Sequence, residues 1–136
     1  MSIKIEINKR IWKSNKYESI NLLWQTMNVM SLYSIIWNKL VALTDRTNPV
    51  NRDLYDVNFF LKNYDINNQN IEDLVMERTN KSLSDYMKFI IDFIPKNYSE
   101  RTILWWLWDV IDEKSKQRLK VKLIPETIEL IKSKIN

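Results

Sequence analysis

The chain has 136 residues, a formal net charge of +4, and no glycine, cysteine or histidine. Without glycine no loop can bring backbone N–H groups against a phosphate in the usual way, which excludes the P-loop, the dinucleotide-binding turn and the nucleophile elbow. Without histidine and cysteine there is no imidazole base, catalytic triad, thiolate or disulfide, and no zinc site of the usual kind, so any catalysis falls to carboxylate, Lys, Tyr, Ser and Thr groups.

Ile, Lys and Asn number 18, 15 and 15 against a single alanine, Ala42, as an AT-rich genome (phage, virus or symbiont) would produce by drift. Six tryptophans run against that drift: Trp12, Trp24, Trp37, Trp105, Trp106 and Trp108. The length suits one globular domain over 1–136, and the charged, alternating N-terminus is unlike a signal peptide, so a cytoplasmic protein is expected.

In chain order, 3–7 alternates Ile with Lys and Glu and could form a short strand. A long helix is expected over about 18–43, apolar on nearly every side apart from a thin strip at Asn21, Gln25, Asn28 and Lys39. Such a helix belongs at the centre of a bundle, with Trp24 and Trp37 in the core. The uncharged stretch 19–38 is long enough to span a membrane, but its Ser, Asn, Gln and Thr content favours a buried soluble helix.

A loop with Asn48-Pro49 precedes a helix over 52–64 anchored by Phe59 and Phe60. An Asn-rich loop at 65–70 follows, in which asparagine takes the backbone role of the missing glycine. Asn70 can cap a short helix over 71–79. Ser82, with Asp85 at the capping-box position, starts a helix over 82–94 that Pro95 ends. A further helix is expected over 99–116. The alternation at 119–123 allows a minor two-stranded ribbon with 3–7, and Pro125 fits the first turn of a last helix. The fold class is therefore all-α, a single domain of five to six helices around the 18–43 helix.

The run 103–111 places Trp106 and Trp108 on an apolar arc and Trp105 on the polar arc with Arg101, Asp109 and Asp112. An exposed tryptophan beside arginine is the usual make-up of an interface hot spot. Arg101, Trp105, Asp109 and Asp112 are accordingly the expected partner-binding patch.

Charge is uneven: +4 over 1–17, −5 over 18–113 and +5 over 114–136. Arg10, Trp12, Lys13 and Lys16 interleave cations with an aromatic, and Lys114, Lys116, Arg118, Lys120 and Lys122 give a spaced basic run suited to phosphates. Glu72, Asp73 and Glu77 read as a solvated acidic face, so neither metal nor cofactor is expected. The leading expectation is a non-enzymatic helical inhibitor or adaptor that docks a protein partner. A nucleic-acid-associated protein using the basic ends is the alternative, and a carboxylate- or Lys-dependent enzyme comes third.

Overall fold

The computed structural model describes residues 11–65, 71–104 and 111–134. It comprises β1 (Tyr17–Leu22), β2 (Gln25–Met30), α1 (Leu32–Asp45), α2 (Asn51–Asn63), α3 (Ile71–Thr79), α4 (Leu83–Asn97) and α5 (Glu113–Ser133). The all-α class with a minor two-stranded ribbon stands, but the ribbon lies elsewhere than expected. Segment 3–7 is outside the described residues, and 119–123 is part of α5.

The expected 18–43 helix is a helix only in its second half. Its first half is an antiparallel hairpin in which Tyr17 faces Met30, Ser19 faces Asn28 and Asn21 faces Thr26. Seen with a period of two, Ser19, Asn21, Thr26 and Asn28 gather on one face and Ile20, Leu22, Met27 and Val29 on the other. Asn21, Gln25 and Asn28 also fall three to four apart, so the same letters fit a helix. What decides is cross-strand pairing: Ser19 Oγ donates to Asn28 Oδ1 at 2.7 Å and Thr26 Oγ1 to Asn21 Oδ1 at 2.8 Å. The two-residue turn is Leu23-Trp24, with Leu23 at φ 56°, where glycine is usual. Trp24, expected in the core, is 85% exposed on this turn.

The Ser31 side chain caps α1 by accepting from the Ser34 N–H. The helix then buries Ile36, Trp37, Leu40, Val41 and Leu43 and packs on α2, α3 and α4, so the central role holds for it alone. The α2 and α3 helices fall within a residue of their expected bounds. Ser82 caps α4 as expected, accepting from the Asp85 N–H at 3.1 Å, but the helix runs two residues past Pro95. Asn80, at φ 55°, takes the left-handed position after α3 that glycine commonly fills.

The expected 99–116 helix is not continuous. Residues 101–104 form turns, and Asp112 is the N-cap of α5, accepting from the Ser115 N–H at 3.0 Å. From there α5 runs unbroken through Pro125. Its buried stripe of Leu123, Thr127 and Ile131 recurs every four residues against α2 and α4 and outweighs the proline. Pro125 is exposed, and so is Val121, whose carbonyl the proline leaves without a helical donor, so water can serve it.

Two substitutions test this packing by chemical denaturation. Ile90→Ala, at a fully buried position of α4, should lower stability by about 2–5 kcal/mol. Pro125→Ala should raise it, by as much as about 3 kcal/mol, if α5 is one helix. A loss would instead mark 125 as a helix start.

Candidate functional site

Between residues 19 and 44 the chain has one charged side chain, Lys39. It lies on α1, and the loop after Arg46, the C-cap of α1, turns the chain so that the first turn of α2 faces it. Lys39 Nζ stands 2.8 Å from Asp56 Oδ2 and 3.3 Å from Asp53 Oδ1. Arg46 Nε approaches Asp53 Oδ2 at 3.0 Å, an ion pair without hydrogen-bond alignment. Asp53 is only 2% exposed. A buried carboxylate requires paired charge, and Asp53 receives two cations as well as the favourable field of a helix N-terminus.

A second cation enters from the last turn of α3. The Arg78 side chain is 8% exposed, with Nη2 2.9 Å from Asp45 Oδ2. Its Nη1 donates to Asn38 Oδ1 at 2.6 Å, while Nε is buried with no hydrogen-bond partner. The indole of Trp12 lies over the guanidinium, 5.1 Å from it to the ring centroid.

Trp12 belongs to a short strap, residues 11–16, that leads into β1. Glu77 pins it by accepting from the backbone N–H groups of Lys13 (2.9 Å) and Ser14 (3.0 Å) and from the Ser14 hydroxyl. Those bonds, led by the Ser14 hydroxyl, hold the Glu77 carboxyl below the ordinary carboxylate range. Asn38 Nδ2 donates to Asn15 Oδ1 at 2.7 Å, tying the strap to α1 as well.

Strap, hairpin base, α1, α2 and α3 together line an open cleft of about 800 Å³. Its lining mixes apolar side chains (Trp12, Tyr17, Met30, Ile35) with charged ones (Lys39, Asp45, Arg46, Asp53, Arg78). Behind it, Tyr86 and Tyr98 donate to the carbonyls of Leu40 and Leu43, each at 3.2 Å, and fix the end of α1. Burial pushes the Tyr86 phenol up to about 12 and raises that of Tyr98, so both stay protonated donors.

The residues singled out from sequence fall in several places. Trp105 and Asp109 lie outside the described residues, as do Trp106, Trp108 and Arg10. Arg101 is exposed in a turn. The carboxylate of Asp112 is engaged by Ser115, which lowers its pKa.

Trp12 is in the cleft, while Lys13 and Lys16 anchor the strap through their backbone N–H groups, Lys16 donating to Ser34 Oγ at 2.9 Å. Lys116 is buried against Glu113 at 2.6 Å, and Arg118 lies 3.6 Å from Glu126. Lys114, Lys120 and Lys122 are exposed on α5. The basic strap is thus attached to α1 and α3, and the basic helix packs on α2 and α4. The charge reading passed over Arg46, Asp53, Asp56 and Arg78. The one available signal was the lone Lys39 in an apolar stretch, followed seven residues on by Arg46 and then by Asp53 and Asp56 at helical spacing.

Over residues 1–128 the chain matches the family described as nucleotidyl transferase AbiEii toxin, type IV TA (toxin–antitoxin) system. The chain belongs to this family. No curated protein matches it, and no solved structure does. AbiEii membership overturns the expectation of a non-enzymatic inhibitor or adaptor. That expectation leaned on the missing Gly, His and Cys, but cations and carboxylates suffice to bind and polarise phosphates. Among the described residues no helix is long and apolar enough to cross a membrane.

Nucleotidyl transfer commonly uses divalent ions held by clustered carboxylates. No group of three or more His, Cys, Asp or Glu side chains that could hold a metal occurs among the described residues. Asp53 and Asp56 are moreover already neutralised by Lys39 and Arg46. The carboxylates of this cleft do not fit a metal.

The strap should respond to acid. Because the Glu77 pKa is lowered in the folded protein, the attachment is fully present above the ordinary glutamate pKa and is lost as pH falls through the lowered value. In an NMR titration the Lys13 and Ser14 amide signals should shift together below the usual glutamate range, and Glu77→Gln should abolish that step.

Proposed function

We propose that this cleft receives the phosphate groups of a nucleoside triphosphate for nucleotidyl transfer, and that the chain acts through this activity as a toxin. One observation supports the reading above the rest: in a member of a nucleotidyl transferase family, three cations, Lys39, Arg46 and Arg78, line one open cleft. Two of them are oriented by the buried carboxylate Asp53.

In such a transfer an acceptor hydroxyl oxygen bonds to the α-phosphorus. The bond from that phosphorus to the bridging oxygen breaks, pyrophosphate leaves, and the hydroxyl proton goes to solvent. Negative charge builds on the leaving group, and cations fixed in advance stabilise it without reorganising. Arg46 approaches Asp53 through Nε and its side chain is half exposed, so its terminal nitrogens can turn to a phosphate. Lys39, a compact charge between two aspartates, can turn one of its three protons to an anion while keeping the others on Asp53 and Asp56. Asp53 and Asp56 act here as positioning residues. On this reading the protein counterpart of the chain is the antitoxin, and its action is cytoplasmic, where nucleoside triphosphates are found.

Calorimetric titration with ATP tests the cleft. Lys39→Ala and Arg46→Ala should each weaken binding at least tenfold (on the order of 1.4 kcal/mol per decade) while the far-UV circular dichroism stays unchanged. Undiminished affinity in both variants would sink the assignment. Growth arrest on expression should fail in the same two variants.

A further inference from the structure

We infer that Trp12 is the stacking platform for the nucleobase, with Tyr17 beside it, so that the cleft reads a nucleotide from both ends. The inference rests on the nucleotide-binding reading above and adds where the base lies. Its starting point is the mixed lining: Lys39, Arg46 and Arg78 can meet an anionic tail, while Trp12, Tyr17, Met30 and Ile35 add aromatic and apolar surface to the same cleft. A nucleotide has that same division, a flat π-face joined to phosphates, and base–aromatic stacking is a strong, sequence-tolerant contact.

Core packing does not account for Trp12. Trp37 is a core residue, sealed among the helices, whereas Trp12 is only half-buried at the mouth of the cleft. One face of its indole is taken by the Arg78 guanidinium. That guanidinium is itself held by Asp45 and Asn38 and keeps a buried Nε without a hydrogen-bond partner.

The backbone that follows it is fixed as well. The Asn15 N–H donates to the Trp12 carbonyl at 3.2 Å, and the next two residues are clamped by Glu77. A ring held this way loses little freedom when a base settles on it, which is how a single exposed aromatic comes to contribute strongly to binding. Tyr17, the first residue of β1, is exposed, lines the same cleft and is paired across the ribbon with Met30. Arg78 thus has two roles, lying under the ring and contributing positive charge to the cleft.

The test compares two ligands on the full chain, ATP and inorganic tripolyphosphate, which has the charge without the base. In Trp12→Leu, ATP binding should weaken roughly tenfold or more with tripolyphosphate binding unchanged, and Trp12→Phe should recover most of the ATP affinity. The Ser14 amide signal, kept at its wild-type position in both variants, verifies that the strap is in place. Equal weakening of both ligands would overturn the inference, leaving Trp12 as a structural support of the strap. Unchanged ATP binding in Trp12→Leu would overturn it too. Wild-type protein that binds neither ligand would remove the nucleotide cleft itself, and one that binds tripolyphosphate as tightly as ATP would remove only the base platform.

Discussion

The structure turns on one buried carboxylate. Asp53 sits at the start of α2 where α1 and α2 meet, and its charge is tolerable there only because Lys39 and Arg46 reach it from α1. A pair of this kind is a poor source of stability, since desolvation offsets most of its Coulomb gain and well-packed apolar residues would often serve as well. Its presence at this junction is better understood through what it does to the cations. It holds two positive groups at fixed places on the edge of a cleft, where flexible surface lysines and arginines would otherwise spread over many rotamers. Removing Asp53 would release Arg46 and leave Lys39 to Asp56 alone, whereas removing either cation would leave a buried charge half compensated.

The remaining supports fall into a back and a front. At the back, Tyr86 and Tyr98 tie down the carbonyls near the end of α1, and burial keeps both phenols protonated over the whole working range of pH. At the front, the strap is held by a solvated carboxylate, Glu77, through bonds that depend on its charge. The hold on α1 is therefore indifferent to pH, while the hold on the strap is not. The strap also places Trp12 and the Arg78 guanidinium in one stack, coupling an aromatic side chain of the cleft to a charged one.

Much of the fold was legible in the sequence because the signals were local. Ser82 followed by Asp85, the short apolar side of Ile71, Leu74 and Val75, and the turn at Asn48-Pro49 each act over a few residues, and the corresponding helices formed near the expected bounds. The errors came where two periods fit the same letters. Segment 17–30 satisfies both a helix strip and a strand alternation, and pairing between Ser19 and Asn28 settled it. Segment 119–123 alternates over five residues, yet the longer stripe through Leu123, Thr127 and Ile131 governs, since tertiary burial outweighs both a short pattern and a proline. The site was harder to see. Arg78 and Asp45 lie 33 residues apart, and Glu77 lies more than 60 from the strap, so no spacing rule joins them. Only Lys39, a lone charge in an apolar run, announced itself. Arginine- and aspartate-rich helix starts are otherwise read as solvated surface.

The hairpin β1–β2 has a further consequence. Ten of its twelve strand residues are exposed, it touches the helices mainly at its base, and a two-stranded ribbon has little stability of its own. What holds it is a bracket around Lys16, Ser31 and Ser34, where the Ser31 N–H donates to the Lys16 carbonyl at 2.8 Å. The molecule is thus built in two tiers of cooperativity. The helices open only with global unfolding, while the ribbon can peel away and reclose by itself, giving its amides fast hydrogen exchange in a protein that is otherwise fully folded.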